Sequence, residues 1–366
     1  MKGRIAYLSL SANRQGNAYY AHVNEIINGL RRRQWQVELF TPAYQQTGSL
    51  PGYLGRMLKF LETQMNLWKD SSQIDALYIR FHFAAFPTVF WAKLQNIPVV
   101  QEINGPYTEL FINWPWTFRF ASLVAWLMRS QFSWADAVIT VTPQLKTWLI
   151  QEFGAKTVHV IPNGANTDIF TPQAKSDVLL PKPYVVFFGA FAPWQGIDTM
   201  LYAVEQSDWP ANVNLVFVGD GIERPKVEKA VENNPKVRYL GMKSYQEIAG
   251  IVAGSIGGLS PKNKKGDYSK TGLSPLKVYE TLACGVPIVV SDFPGQADLV
   301  RQHQCGLVIP PEDPAALAHA VAFLYNNPSE RQEMGNRGNK VIEQEHSWDK
   351  RAASTETVIQ SITDQQ

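Results

Sequence analysis

Residues 274–290 read Ser-Pro-Leu-Lys-Val-Tyr-Glu-Thr-Leu-Ala-Cys-Gly-Val-Pro-Ile-Val-Val. Ser274 is a favourable N-cap, Pro275 fits the first turn of a helix, and Gly285 with the proline that soon follows ends it, so the pattern predicts a short helix. The apolar residues 288–290 then predict a buried parallel strand. A short helix that leads into such a strand is typical of a doubly wound α/β sheet.

Two charged residues, Lys277 and Glu280, lie on one face of this predicted helix. The helix N-terminus offers unpaired backbone N–H groups to an anion, Lys277 adds a full positive charge, and Glu280 can accept two hydrogen bonds from a diol. A nucleoside diphosphate has both an anionic and a diol group. The alternative is an ordinary surface pair. The lysine-rich loop 261–270, which leads directly into the helix, favours the site.

The composition is that of a globular protein. A chain of 366 residues with 45% hydrophobic residues, 18% charged residues and a net charge of +2 predicts two domains and excludes a polyelectrolyte that binds nucleic acid. The two cysteines, Cys284 and Cys305, lie in apolar sequence, which argues against a disulfide framework or a zinc site and favours the cytoplasm. No segment reaches the ~18 apolar residues of a membrane span.

Strand-like segments alternate with helical patterns in two series, which predicts parallel α/β architecture in each. The first series is 5–9, 37–41, 76–80, 99–102, 137–141 and 158–161, and the second is 184–189, 213–219, 237–240, 257–260, 288–291 and 306–309. A proline-punctuated linker separates them. We therefore predict one domain at 1–172, completed by a C-terminal helix within 347–366, and a second at 173–346, with the two halves facing each other across a cleft.

The first strand-to-helix turn places Gly16 just before an amphipathic helix, where backbone can approach a phosphate closely. A lone glycine at a turn is also ordinary turn chemistry, so this signal is weak by itself. The sequence contains no Asp-x-Asp pair to hold a divalent ion between phosphates, and its histidines have no metal-ligand spacing. We therefore predict no metal and no cofactor.

The region 114–134 is rich in aromatic residues. Phe120, Leu123, Val124 and Leu127 have helical spacing and predict a stripe that faces the core. The opposite stripe holds Arg119, Trp126 and Arg129, a combination typical of helices that lie in a membrane interface. Packing within the protein and peripheral membrane association are both compatible with this pattern.

The order of these segments resembles the family 4 glycosyltransferases, which have the GT-B fold of two facing Rossmann-like domains. The similarity covers nearly the whole chain and rests on Gly16 and on the segments 135–142, 160–170, 188–196, 218–221 and 274–290. The resemblance implies transfer of a sugar from a nucleotide donor with retention at the anomeric carbon. It also implies that the donor binds mainly to the second domain and the acceptor to the first.

The resemblance assigns roles to individual residues. It implies that Glu280 holds the donor ribose, that Lys277 faces the diphosphate, and that Gly16 lets the first loop meet the phosphate. The other donor-side positions are Asn17, Lys270, Gly272 and Leu276.

Several positions depart from the family pattern on the donor side. Gly272 replaces a family glutamate that lies before Glu280, and Ala190 and Gln195 replace an arginine and a lysine that meet phosphate. Lys277, together with Lys265 or Lys270, must then carry more of the positive charge, or the protein has lost catalysis.

The acceptor side also departs from the family. Asn104 stands where many members have a histidine, so the candidates for the acceptor-side catalytic residues are Glu102 and Asn104. A retaining enzyme can also do without a base, if the departing phosphate takes the acceptor's proton.

The function predicted from the resemblance is hexosyl transfer from a UDP-sugar, with UDP-glucose as the default donor. The acceptor is a glycan or a lipid-linked precursor at the cytoplasmic face of a membrane. A nucleotide-sugar epimerase of the same fold and a catalytically silent binding protein are the alternatives. Incubation with donor alone separates these three. Formation of an epimer indicates the epimerase, acceptor-dependent or slow hydrolytic release of UDP indicates the transferase, and neither result favours the silent binding protein.

Overall fold

The structure is a computed structural model that describes residues 2–11, 18–44, 51–70, 74–106, 111, 115–265 and 268–364. Its contacts divide the chain into two compact units. The first holds the N-terminal strand, Tyr19–Pro162 and the residues from Asp349 onward, and the second holds Asn163–Trp348.

The first unit is built on a six-stranded sheet in which all neighbouring strands are parallel, in the order β2-β1-β3-β4-β5-β6. The strands are β1 Gly3–Ser9, β2 Trp35–Phe40, β3 Ala76–Arg80, β4 Val99–Ile103, β5 Ala137–Thr140 and β6 Val158–Val160. The strand order reverses between β1 and β3. In doubly wound sheets, a crevice opens at the carboxyl ends of the strands at such a point.

Helices cover this sheet and bury its apolar residues. They are α1 Ala18–Arg32, α2 Tyr53–Lys69, α3 Phe86–Leu94, α4 Ala121–Trp134 and α5 Pro143–Phe153, with 3₁₀ turns at Phe83–Ala85 and Pro115–Phe120. One buried cluster joins β1 and β3 to α2 and α3, and another joins β4 and β5 to α4 and α5. The sheet interior is apolar because its strands are covered on both faces, as parallel sheets require.

The second unit repeats this architecture with the parallel order β12-β11-β10-β7-β8-β9. Its strands are β7 Tyr184–Ala190, β8 Asn214–Asp220, β9 Val237–Tyr239, β10 Gly257–Ser260, β11 Ile288–Ser291 and β12 Gly306–Ile309. Its helices are α6 Ile197–Ala203, α7 Arg224–Asn233, α8 Tyr245–Ala253, α9 Tyr268–Thr271, α10 Leu276–Ala283, α11 Gln296–His303, α12 Pro314–Asn326 and α13 Pro328–Glu345. Here the strand order reverses between β7 and β10.

Both predicted series of strands are confirmed, because each predicted segment overlaps a strand of the corresponding sheet. The contacts place residues 163–172 in the second unit, whereas the sequence analysis placed them in the first domain. Two interactions explain this. The Asn163 backbone N–H donates to Ser274 Oγ at 3.1 Å, and the Phe170 ring is buried in the core of the second unit.

The final helix, α14 Trp348–Thr363, agrees closely with the amphipathic helix predicted from the sequence. From Asp349 onward it belongs to the first unit. Glu356 accepts hydrogen bonds from Lys2 Nζ at 2.7 Å and from Trp35 Nε1 at 2.9 Å, which ties this helix to β1 and β2. Within the described ranges, no helix combines the length and the apolar character needed to cross a bilayer.

Candidate functional site

The predicted helix of the second unit forms as α10, but its start differs from the prediction. Pro275 is the N-cap, so Ser274 is not, and no side chain caps the helix. The Ser274 hydroxyl lies 2.9 Å from the Tyr279 hydroxyl and accepts from the Asn163 N–H. The first-turn N–H groups of α10 are therefore not capped by a side chain, which suits an anion at this helix end.

Lys277 on α10 is buried, with 7% of its surface exposed. Its Nζ lies 3.6 Å from the centroid of the Phe187 ring and donates to Gln195 Oε1 at 3.1 Å. A methyl group built on Gly189 would lie 3.8 Å from this Nζ. Lys277 therefore reaches the carboxyl end of β7, at the point where the strand order reverses. Gln195, which replaces a family lysine, is its hydrogen-bond partner.

A second buried lysine lies nearby. Lys262 directly follows Pro261 at the end of β10, the strand beside β7, and is 6% exposed. Burial lowers the pKa of Lys277 well below its usual range, and the positive charge of Lys262 lowers this pKa further, while Glu280 opposes the shift. A positive charge on Lys262 therefore disfavours the charged form of Lys277, and a bound anion would favour it.

Glu280 lies one turn after Lys277 on α10 and is 5% exposed. The Tyr245 hydroxyl on α8 donates to Glu280 Oε1 at 2.9 Å. Because both Lys277 and Glu280 are buried, the structure excludes the alternative of an ordinary surface pair. Their burial is costly without partners, and burial of this kind is concentrated at functional sites.

The remaining donor-side predictions fall in different places. Lys265 and Lys270 are exposed, so they do not belong to the buried lysine pair. The prediction from sequence named these two lysines and did not name Lys262. Leu276 is buried at the start of α10. The only signal for Lys262 was its position directly after an apolar strand, where parallel sheets hold their ligands.

Gly272 is buried and has a φ of 68°, in the left-handed region that favours glycine. Its N–H donates to Tyr268 O at 2.8 Å and ends the short helix α9. A glutamate at this position would be strained. Gly16 and Asn17 lie outside the described residues.

The first unit contains a cavity of about 400 Å³ at the carboxyl ends of its central strands. Its polar lining includes Ser11, Tyr19, Arg80, His82, Glu102 and Asn104. Tyr19 lies on α1, and the others lie within or just after β1, β3 and β4. Ser9 is paired with Arg80 in the register of β1 and β3. The cavity therefore lies where the order of this sheet reverses, as expected for a ligand crevice.

Glu102 is fully buried at the edge of this cavity and is held by four side chains. Its carboxylate accepts from Tyr78 Oη at 2.6 Å and from Arg351 at 2.8 Å, while Arg80 lies at 3.4 Å and His22 Nε2 at 2.5 Å. Arg351 also donates to the backbone carbonyls of residues 161 and 162. Glu102 thereby joins the C-terminal helix to the sheet of the first unit.

The proton between Glu102 and His22 must be assigned to one of them. Burial alone would raise the pKa of Glu102, but His22, Arg351 and Arg80 hold it well below its usual range. Burial lowers the pKa of His22 to about 3, although Glu102 opposes this shift. Because two guanidinium groups already stabilise the carboxylate, we assign the charge to Glu102 and leave His22 neutral, so that His22 acts on Glu102 through its hydrogen bond and not through a charge. Such a carboxylate is a poor general base, so this arrangement favours a structural role over the predicted catalytic one.

Asn104 lines the cavity just after β4. Its Nδ2 lies 3.5 Å from His22 Nε2, and its buried Oδ1 has no hydrogen-bond partner among the described residues. A buried acceptor without a partner is costly, and a ligand hydroxyl would satisfy it. The described residues contain no group of three His, Cys, Asp or Glu side chains placed to hold a metal ion.

Comparison with known proteins identifies two family regions. The profile of the family described as glycosyltransferase family 4 matches residues 21–169, and that described as glycosyl transferases group 1 matches residues 170–341. The GDP-mannose-dependent alpha-mannosyltransferase of Mycobacterium tuberculosis is 29% identical over 179 residues, which cover 46% of this chain and 44% of that protein. Matches to four curated relatives span between 44% and 61% of their lengths, and a fifth spans 92%.

Solved structures share the architecture of the whole chain. Sucrose-phosphate synthase from Thermosynechococcus elongatus has a TM-score of 0.82 at 19% identity, with all of both chains covered. Anabaena HepE in complex with UDP-glucose has a TM-score of 0.71 at 16% identity, covering 98% of this chain and all of the other. These similarities confirm the predicted GT-B fold.

Proposed function

The chain belongs to the family 4 glycosyltransferases, and we propose that it transfers a hexose from a nucleoside diphosphate sugar to an acceptor hydroxyl with retention of anomeric configuration. The observation that carries this proposal is the buried pair Lys262 and Lys277 beside Glu280. Lys262 follows β10, and the other two residues lie on α10. The two lysines suit the negative charge of a nucleoside diphosphate, and Glu280 suits the diol of its ribose.

In this proposal the second unit holds the donor. Glu280 accepts hydrogen bonds from the ribose hydroxyls, with Tyr245 fixing its carboxylate at 2.9 Å. Lys277, Lys262 and the start of α10 receive the pyrophosphate. They replace the two family cations that this chain lacks at Ala190 and Gln195. Departure of the nucleoside diphosphate concentrates negative charge on its phosphate oxygens, so these groups stabilise the transition state more than the ground state.

The acceptor loses its proton to the departing phosphate in this mechanism. Glu102 is too strongly paired to act as the base, since its pKa is held well below its usual range by His22, Arg351 and Arg80 against the effect of burial. Asn104 contributes its unsatisfied Oδ1, which accepts a hydrogen bond from a hydroxyl of the acceptor. Asn104 is thus a substrate-positioning residue.

Two donors are supported by different similarities. The prediction of UDP-glucose is supported by the fold shared with HepE, whose structure contains that donor. GDP-mannose is the second candidate, because a relative with 29% identity over its matched segment uses it. Glu280 and the lysine pair contact parts that both donors share, so neither residue distinguishes them.

We expect purified protein to release nucleotide slowly from UDP-glucose in the absence of acceptor, and Glu280→Ala to weaken UDP binding by roughly 1–3 kcal/mol through the lost ribose hydrogen bonds. A panel of UDP-glucose, UDP-galactose, UDP-xylose and GDP-mannose, followed by nucleotide release and by calorimetric titration, measures both. Glu228→Ala, which removes an exposed carboxylate paired with Arg224, is the control.

The outcomes of this panel separate the alternatives. If GDP-mannose is the one donor of the panel from which nucleotide is released, the donor is GDP-mannose and the proposed reaction class is unchanged. Formation of an epimer would indicate an isomerase. Neither release nor binding of any nucleotide, or an unchanged UDP affinity in Glu280→Ala, would contradict the proposal.

We also propose that the first unit rests on a membrane through an apolar face formed by α2, the 3₁₀ turn at Pro115–Phe120 and α4. Its exposed side chains are Tyr53, Leu54, Met57, Leu58, Leu61, Met65, Trp116, Phe118, Phe120, Leu123 and Trp126. The ring centroids of Tyr53 and Trp116 are 5.4 Å apart, so the face is continuous. The predicted core stripe is confirmed at Val124, which is buried, but it is wrong at Phe120 and Leu123, which are exposed. Met128 and Phe132 are buried with Val124.

The charges around this apolar face favour an anionic bilayer as its partner. Arg119 and Arg129 are exposed, and Arg56 lies 5.0 Å from the centroid of the Tyr53 ring. Glu62 is an acidic residue on α2, and it is paired with Lys59 at 2.8 Å. Aromatic residues with flanking cations are the signature of helices that lie in a membrane interface.

We expect the protein to float with vesicles that contain phosphatidylglycerol and to stay behind with pure phosphatidylcholine vesicles. Trp126→Ser should lower the partition coefficient at least tenfold, because burial of one large apolar side chain contributes about 1.5–3 kcal/mol. The matched control is Tyr202→Ser in the second unit, since Tyr202 is 58% exposed and Trp126 is 54% exposed. Absence of flotation with anionic vesicles would remove the membrane proposal.

A further inference from the structure

We infer that the cavity of the first unit selects an acceptor that carries a phosphoryl group, with Arg80 binding that group and Asn104 positioning a hydroxyl. This inference rests on the proposed transferase function and names the chemical class of its acceptor. It concerns residues of the first unit only, so it can fail while the donor assignment stands.

The base of the cavity carries a net positive charge among the described residues. The buried cluster at the base of the cavity holds two guanidinium groups, Arg80 and Arg351, and one carboxylate, Glu102, among the described residues. His22 is neutral in this cluster, because burial lowers its pKa to about 3. His82 is neutral as well, since burial and then Arg56 lower its pKa to about 4. One positive charge in the cluster therefore lacks a counter-charge among these residues.

The two arginines of this cluster make different hydrogen bonds. Arg351 Nη2 donates to Glu102 at 2.8 Å, and Arg351 Nη1 donates to two backbone carbonyls, so this guanidinium is committed to the fold. Arg80 makes one long contact of 3.4 Å to the same carboxylate. A guanidinium has five N–H donors, so Arg80 retains donors for a ligand.

Arg80 is placed where it can contact a ligand in the cavity. Arg80 lines the cavity and keeps 15% of its side chain exposed, so a ligand can reach it. Its guanidinium carbon lies 4.6 Å from the centroid of the Tyr19 ring, which orients the planar group. A fixed guanidinium plane suits the oxygen geometry of a phosphoryl group, which it can bind through two parallel hydrogen bonds.

Asn104 supplies the complementary half of the site. Its buried Oδ1 needs a donor, which a sugar or polyol hydroxyl provides and a phosphoryl oxygen cannot. A neutral sugar would satisfy Asn104 but would not balance the net positive charge of Arg80, Arg351 and Glu102. An acceptor with both a hydroxyl and a phosphoryl group satisfies both residues, and a cavity of about 400 Å³ has room for a monosaccharide phosphate.

The test compares glucose 6-phosphate with glucose by calorimetric titration of the full chain. We expect the wild-type protein to bind glucose 6-phosphate at least tenfold more tightly than glucose. Arg80→Gln should abolish this ratio, whereas Asn104→Ala should weaken both ligands and keep the ratio. A purely structural role of Arg80 would weaken both ligands alike. Arg32→Gln, which removes an exposed arginine of the same unit, is the matched control and should change neither affinity.

A second arm distinguishes a soluble sugar phosphate from a lipid headgroup. Dihexanoyl phosphatidylglycerol, used below its micelle concentration, presents the phosphodiester of a lipid without a bilayer surface. Preference for this probe over glucose 6-phosphate, with loss in Arg80→Gln, would assign the phosphoryl group to a lipid. The reverse preference, with the same loss, would assign it to a soluble acceptor.

Two results would overturn the inference. One is equal affinity for glucose and glucose 6-phosphate in the wild-type protein together with no binding of the lipid probe. The other is an unchanged ratio in Arg80→Gln. If Arg80→Gln fails to fold, Arg80→Lys keeps the charge beside Glu102 and should reduce the ratio, because an ammonium group cannot form the paired hydrogen bonds. UDP titration of the same samples reports separately on the donor proposal.

Discussion

Replacing Lys277 with methionine is expected to lower the rate of sugar transfer about 10²–10³-fold, the usual cost of removing one group that stabilises negative charge in a transition state. Methionine preserves the apolar length of the side chain beside Phe187 and removes the charge. The loss should fall mainly on kcat, because the charge of the departing phosphate grows as the glycosidic bond breaks. Initial rates of nucleotide release at saturating donor measure this effect.

Lys264→Met is the matched control for Lys277→Met. Lys264 lies in the same lysine-rich loop as Lys262, but it is exposed, so its removal should change the rate less than twofold, on the order of a weak surface effect. Lys262→Met should reproduce a large part of the Lys277 effect if both lysines hold the diphosphate. A normal rate in Lys277→Met would contradict the assignment of the transition-state charge to α10.

The buried lysine pair also predicts that nucleotide binding is coupled to the uptake of a proton. Burial, and then Lys262, lower the pKa of Lys277 well below its usual range in the free protein. A bound diphosphate favours the charged form and raises this pKa, so nucleotide binding near neutral pH should take up a proton. Calorimetric titration of UDP in two buffers with different ionisation enthalpies measures the uptake, which Lys277→Met should abolish.

Replacing Arg351 with methionine is expected to destabilise the first unit by roughly 3–5 kcal/mol, the typical cost of leaving a buried charge without its partner. Arg351 is the closest guanidinium to Glu102, and it also donates to two backbone carbonyls. Urea denaturation followed by tryptophan fluorescence measures the change in the free energy of unfolding. The N-terminal and C-terminal segments of the first unit should lose protection from hydrogen exchange together.

Arg32→Met is the control for Arg351→Met, because Arg32 also pairs with an acidic residue of α14. The side chains of Arg32 and Asp349 are 55% and 69% exposed, and such pairs contribute about 0–1 kcal/mol. An equal, small effect of both substitutions would contradict the structural role that we give to the Glu102 cluster.

The same cluster sets the direction of the pH dependence of stability. The pKa of Glu102 is lower in the folded state than in the unfolded chain, so its contribution is present above about pH 4.3 and is lost as pH falls through the folded value. Burial lowers the pKa of His22 to about 3, so the unfolded state also binds more protons than the folded state below about pH 6.5. Both groups therefore make the first unit less stable on acidification.

Much of the fold could be predicted from local sequence. Each strand of the two sheets overlaps a predicted segment that is mainly apolar, because strands covered on both faces bury most of their side chains. The helix at 276–283 could be predicted from its flanking prolines and Gly285. The N-cap could not, because the Ser274 hydroxyl is taken by Asn163 and Tyr279.

The site residues divide in the same way. Lys277 and Glu280 could be found from their spacing on one helix face. The partners of Glu102 could not, since Arg351 lies on a helix at the other end of the chain. The exposure of Phe120 and Leu123 could not be predicted from the sequence, because apolar residues at helical spacing can form either a buried stripe or an exposed one.

The sequence by itself determined the two parallel sheets, the linking helices and the face on which Lys277 and Glu280 stand, because these follow from periodicity and turn residues within a few positions. Only the tertiary structure decided which second lysine lies near Lys277 and Glu280. Lys262 lies close enough to influence Lys277 because β10 pairs with β7, and that pairing brings residues far apart in the chain to one sheet edge. Strand order is a property of the whole sheet, and no local pattern encodes it.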